Sequence, residues 1–211
     1  MDYFNPLEQE YQNRFAHWRD ERLRGVTGAL RQRGISANHI TALGLVHLLA
    51  ACISGPWLHG LPAALFLLLY CVLDGMDGPL ARASGQAHAG GAMVDMSADQ
   101  MGVAAISAAC VVHLDSSGLA AVLFSNFYLG FIVLVTYAKQ ARVPMGTPFI
   151  RVKYPFYMLY VAGLASEQDL VTGFMLFFAA YYSLMGTHRL VLISRYCRQS
   201  PPAPEQGGEG R

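Results

Sequence analysis

Apolar residues come in long uninterrupted blocks, and those blocks decide what this chain can fold into. A helix needs about 20 mostly apolar residues to cross the hydrocarbon core of a bilayer. Six stretches approach that length, at 40–58, 61–80, 91–114, 119–138, 154–165 and 170–193. The fifth is short unless its helix begins ahead of Pro155, near Phe149; the alternative is five spans with a re-entrant segment. Composition agrees, since 54% of the 211 residues are hydrophobic and only 14% are charged. The expected fold is all-α, an integral membrane bundle of six transmembrane helices.

Charge tests that threading independently, because loops rich in Lys and Arg stay on the cytoplasmic side. With six spans, the segments around Gly60, Ser116 and Glu167 fall on one side and contain no Lys or Arg. All fifteen basic residues fall on the other, which predicts that both termini face the cytoplasm, with the cell membrane as the expected location. The chain divides into a cytoplasmic N-terminal segment (1–38), a six-helix transmembrane catalytic domain (39–198) and a disordered tail (199–211). In the first, Leu7, Tyr11, Phe15 and Trp18 share one apolar face flanked by arginines. That pattern suits an amphipathic helix on the membrane surface, or equally a helix packed on the rest of the protein. Cys52, Cys71, Cys110 and Cys197 show no paired spacing and read as free thiols.

Within the twenty-six residues from 74 to 99 of this apolar chain stand four acids, each with an insertion cost of about 2.5–3.5 kcal/mol at a helix centre. Asp74 and Asp77 are three apart at the end of the second span, and Asp95 and Asp99 are four apart at the start of the third. Each pair can share a helix face. Four carboxylates meeting at the ends of adjacent helices repel unless hard divalent cations with oxygen ligands neutralise them, and two ions are the natural solution. Between the pairs, small residues keep side chains out of the way, and Arg82 offers a cationic fork to phosphate oxygens. Pro79 should kink its helix or free the carbonyl of Gly75.

The stretch reads Asp74-x2-Asp77-Gly78-x2-Ala81-Arg82-x8-Gly91-x3-Asp95-x3-Asp99. It resembles the signature of the CDP-alcohol phosphatidyltransferases of class I at every fixed position. The resemblance implies a six-helix fold, a homodimer and an active site open to the cytoplasm. It implies that Asp74, Asp77 and Asp95 bind Mg²⁺ or Mn²⁺, two ions per site, with Asp99 as both metal ligand and general base. Gly78, Ala81, Arg82 and Gly91 are expected at the CDP moiety. So is His88, which stands where related phosphatidylinositol-phosphate synthases often carry threonine. Asn38, in a segment similar to the family's Pro-Asn-x-x-Thr, either contacts the nucleotide or caps its helix.

The expected reaction moves a phosphatidyl group from CDP-diacylglycerol to a hydrophilic alcohol with release of CMP. Lys139, Arg142, Arg151, Lys153, Arg189 and Arg195 all lie on the active-site side and could bind an acceptor phosphate such as inositol phosphate or glycerol phosphate. Membrane orientation alone accounts for the same charges. The expected partners are these substrates and membrane lipid, with no nucleic acid among them. Two rival readings are a cation transporter using the acid cluster and a catalytically silent relative. His47 and His113 lack partners at metal spacing and read as packing residues.

Overall fold

The computed structural model describes residues 6–85, 89–141, 143 and 149–199, and among these every regular element is helical. Seven helices follow in order: α1 (Pro6–Gln32), α2 (Ala37–Ser54), α3 (Leu61–Ala83), α4 (Ala89–His113), α5 (Gly118–Gln140), α6 (Lys153–Ser166) and α7 (Thr172–Gln199). A single 3₁₀ turn, Leu58–Gly60, precedes α3. Among the described residues, four segments are long and apolar enough to cross a membrane: Ala37–Ser54, Leu58–Ala83, Gly118–Ala138 and Thr172–Arg198. α6 has only 14 residues, while α4, at 25, carries Asp95, Asp99 and Gln100 in its first half and is less apolar.

Large apolar side chains cover the outside of the bundle, as a lipid-facing surface requires. Val112 is 77% exposed, Met158 and Leu184 are each 73% exposed, and Ile53 is 69% exposed, on α4, α6, α7 and α2 respectively. Inside, Leu48, Ile106, Phe124, Phe156, Tyr160 and Met175 are fully buried in one core drawn from α2, α4, α5, α6 and α7. α2 packs along α3 and α4, α5 packs along α4 and α7, and α6 touches α3 and α4.

Some local expectations meet a different outcome, while those for the cysteines and His47 hold. Ser36, not Asn38, caps α2: its side chain accepts from the amide of His39, whose ring accepts in return from the Ser36 amide. Asn38 lies inside the first turn instead. α6 begins at Lys153 rather than near Phe149, which leaves Pro155 in its first turn, where amides have no helical partner to lose. α3 runs unbroken through Pro79, so what remains of that proline is the donor it withholds from the Gly75 carbonyl. The four cysteines are free. His47 is hydrogen-bonded to the Leu43 carbonyl at 2.8 Å and lies beside Phe66.

The turns α2–α3, α4–α5 and α6–α7 gather at one end of the bundle. His59 Nδ1 lies 3.0 Å from Glu167 Oε1, Ser116 Oγ donates to Asp169 Oδ1 at 2.8 Å, and the Ser117 amide donates to Thr172 Oγ1 at 2.9 Å. His113 and Tyr160 are hydrogen-bonded at 2.9 Å just beneath. Gly60 is required here: its φ is +77°, and a Cβ would stand 2.5 Å from that of Leu164.

Candidate active site at the ends of α3 and α4

α3 carries Asp74 and Asp77 one turn apart, and the first half of α4 carries Asp95 and Asp99 in the same relation. The helices bring three of the four together. Carboxylate oxygens of Asp74, Asp95 and Asp99 lie within 4.8 Å of one another, all half-buried. Asp77 is buried and differently engaged: Thr41 of α2 donates to its Oδ2 at 2.9 Å, and the Gly78 amide to its Oδ1 at 2.6 Å.

Lys153, the first residue of α6, enters the same cluster. Its Nζ is 2.6 Å from Asp99 Oδ1, 2.9 Å from Asp74 Oδ2 and 3.3 Å from the Tyr70 hydroxyl. Tyr70 donates to Asp99 Oδ1 at 2.9 Å, and Tyr154 donates to Asp74 Oδ2. The ammonium also sits over the Tyr154 ring, 4.8 Å from its centroid. One oxygen of Asp74 and one of Asp99 are thereby occupied. Asp99 Oδ2 and Asp74 Oδ1 accept no hydrogen bond among the described residues, nor does Asp95. Oxygen-only donors at this separation are what a hard divalent cation takes, so the residues present fit such an ion.

Below the acids, Arg82 leaves the last turn of α3, and Ala81 lies beside it half-buried. Asp20 of α1 grips Arg82 from the side, with Nε and Nη2 of the guanidinium each 2.7 Å from a carboxylate oxygen. That hydrogen-bonded guanidinium holds the Asp20 carboxyl below the usual carboxylate range. Sequence reasoning missed Asp20, one of four acids on an arginine-rich helix, and it missed Tyr70 and Tyr154 as well. Tyr70, four residues ahead of Asp74 on α3, shares its helix face and could have been found from that spacing, whereas no spacing links Asp20 or Tyr154 to the signature.

The remaining expected residues are scattered. Asn38 is exposed at the start of α2, and Gly91 lies in the first turn of α4. Arg151 is exposed ahead of α6, 5.9 Å from the Phe149 ring centroid, and its segment is tied to α7 by the Tyr182 hydroxyl donating to the Ile150 carbonyl. Two turns further along α7, Arg189 is buried, and Arg195 beyond it is exposed. His88, Arg142, the Lys139 side chain and the tail from residue 200 lie outside the described residues.

This arrangement sits where family membership can be judged. The family model of the CDP-alcohol phosphatidyltransferases matches residues 35–192, which takes in α2 through most of α7. The chain belongs to that family. It is a membrane protein of a class of transferases that move phosphate-containing groups from CDP-alcohols to alcohol acceptors in phospholipid synthesis, a metal-dependent reaction in general. No curated protein and no solved structure matches the chain significantly.

Proposed function

We propose that this protein transfers the phosphatidyl group of CDP-diacylglycerol to a hydrophilic alcohol and releases CMP. The observation that carries the reading is the convergence of Asp74, Asp95 and Asp99 within 4.8 Å, in a chain whose family performs this chemistry. These three acids, with Asp77 beside them, would hold two Mg²⁺ or Mn²⁺ ions. Bound there, such ions would neutralise the acids and offset charge developing on the phosphates.

The chain's own groups do the rest. Gly78, Ala81, Arg82 and Gly91, together with Asn38 and His88, receive the CDP moiety. Asp99 takes the acceptor's hydroxyl proton on Oδ2, while Tyr70 and Lys153 fix the carboxylate through Oδ1. The alcohol oxygen then bonds to the phosphorus that bears the lipid alcohol, and the bond to CMP breaks with its electrons leaving on the CMP phosphate. Arg151, Arg189 and Arg195, with Lys139 and Arg142, bind the acceptor, a phosphopolyol such as inositol phosphate or glycerol phosphate. Lys153 belongs to the acid cluster instead, because Asp74 and Asp99 already engage its ammonium.

In this reading α2 to α7 make six crossings, with 1–38 and 199–211 as the flanking segments. The meeting of three alternate turns at one end supports that count, since α4 and α6 must then run antiparallel to their neighbours. Both termini and the site face the cytoplasm, the membrane is the cell membrane, and the protein is a homodimer. A cation transporter lacks comparable support, because the acids are confined to the C-terminal half of α3 and the N-terminal half of α4.

The experiment is release of CMP from CDP-diacylglycerol by the purified protein, with inositol phosphate, glycerol phosphate, serine and ethanolamine offered separately. Faster release with one phosphorylated acceptor is expected. No release with any acceptor would remove the reading.

A further inference from the structure

α1 lies outside the matched segment, yet it closes on the signature. Besides the Asp20–Arg82 pair, Arg31 Nη1 donates to the Ala83 carbonyl at the end of α3, at 3.1 Å. Asp20 occupies Nε and Nη2 of Arg82, which leaves Nη1, and Nη1 is the atom nearest the open side of Gly78. A Cβ on Gly78 would stand 3.4 Å from it and 3.7 Å from Arg19 Nη2. Two guanidiniums therefore converge over one glycine, and the carboxylate hydrogen-bonded there, Asp20, balances only one of their charges. Arg19 Nε is buried without a hydrogen-bond partner among the described residues. A buried cationic donor left unpaired is unfavourable, and the paired anionic oxygens of a phosphate, like those of a carboxylate, match the fork of a guanidinium.

We infer that α1 forms one wall of the nucleotide site: Arg19 is a second arginine donating to the diphosphate of the CDP-alcohol, and Asp20 is a positioning residue that turns Nη1 of Arg82 toward it. This rests on the reading that Gly78 and Arg82 face the CDP moiety. A helix that merely anchored the protein to the membrane would have no reason to place a half-buried arginine, its Nε unpaired, over the signature glycine.

CDP titrated into the purified full-length protein with Mg²⁺ present tests this. Arg19→Gln is expected to weaken CDP binding about tenfold, the scale of one charge-assisted hydrogen bond, and Arg19→Lys to recover part of it. Arg24→Gln, on an exposed position of α1, should leave it unchanged. Asp20→Asn should lower CDP affinity while the acceptor's KM stays as it was. If Arg19→Gln binds CDP normally and Arg82→Gln does not, α1 is only an anchor and the inference is overturned. If both bind normally, the nucleotide reading of the signature falls with it. Should Arg19→Gln fail to fold, hydrogen exchange of wild-type α1 decides: CDP should slow exchange around Arg19, and unchanged exchange would overturn the inference.

Discussion

Lys153 Nζ lies 2.6 Å from Asp99 Oδ1, joining the first residue of α6 to the acid on α4 that the proposed mechanism uses as base. The same ammonium reaches Asp74 on α3, so one tethered cation holds three helices at the acid cluster. Removing one partner of a buried ion pair typically costs about 3–5 kcal/mol, because the charge left behind is uncompensated. Lys153→Met should therefore lower the thermal midpoint of the metal-free protein and enlarge the increase on adding Mg²⁺. Thermal unfolding in detergent with and without Mg²⁺ measures both, and an unchanged metal-free midpoint would count against this role.

Asp95 is expected to be a metal ligand and little else, since no hydrogen bond reaches it among the described residues. Asp95→Ala should abolish turnover and also the Mg²⁺-dependent increase in thermal midpoint. The metal-free midpoint should fall little or rise, because one repelling carboxylate has gone. Full Mg²⁺ stabilisation in the variant would exclude Asp95 from the metal site.

Asp99→Asn separates binding from chemistry. Asparagine can keep an oxygen toward Tyr70 and Lys153 while losing the basic oxygen at Oδ2. The variant should lose orders of magnitude in kcat, yet bind CDP-diacylglycerol with Mg²⁺ at near-normal affinity. Single-turnover assays at saturating acceptor, with titration of the CDP-lipid alongside, give the two quantities. Retained turnover would refute the base assignment, and lost lipid binding would make Asp99 chiefly a ligand.

Cysteines introduced near Gly60, Ser116 and Glu167, at the exposed positions Trp57, Ser117 and Gln168 and in a background freed of the native thiols, should react with impermeant reagents only from outside the cell. The three positions are expected to behave alike, because hydrogen bonds and an ion pair stitch their turns together. Cytoplasmic labelling at any one would break the six-crossing arrangement.

The helical class and the site's three converging acids were legible because each rests on a short-range regularity. Apolar blocks report length directly, and intervals of three and four residues place Asp74 with Asp77, and Asp95 with Asp99, whatever else the chain does. The site's other members were not. Lys153 reads as one more basic residue on the cytoplasmic side, and only the approach of α6 to α3 and α4 carries it across 54 residues to Asp99. Ser36 was passed over as the cap of α2 because Asn38, two residues on, is chemically as good a cap; the choice turns on where the backbone leaves the extended region, which Ser36 does at φ −89° and ψ 162°.

What the amino-acid order determined by itself is which segments must leave water, which loops resist translocation, and which acids share a helix face. All three follow from hydropathy, charge and helical period, properties that a stretch of about 25 residues possesses alone. Tertiary structure alone decided which oxygen of each acid is occupied, that Asp77 turns to Thr41, and that Asp20 meets Arg82 from 62 residues away. Those pairings depend on the distance and angle between packed helices, to which every side chain in the interface contributes and which no local pattern records.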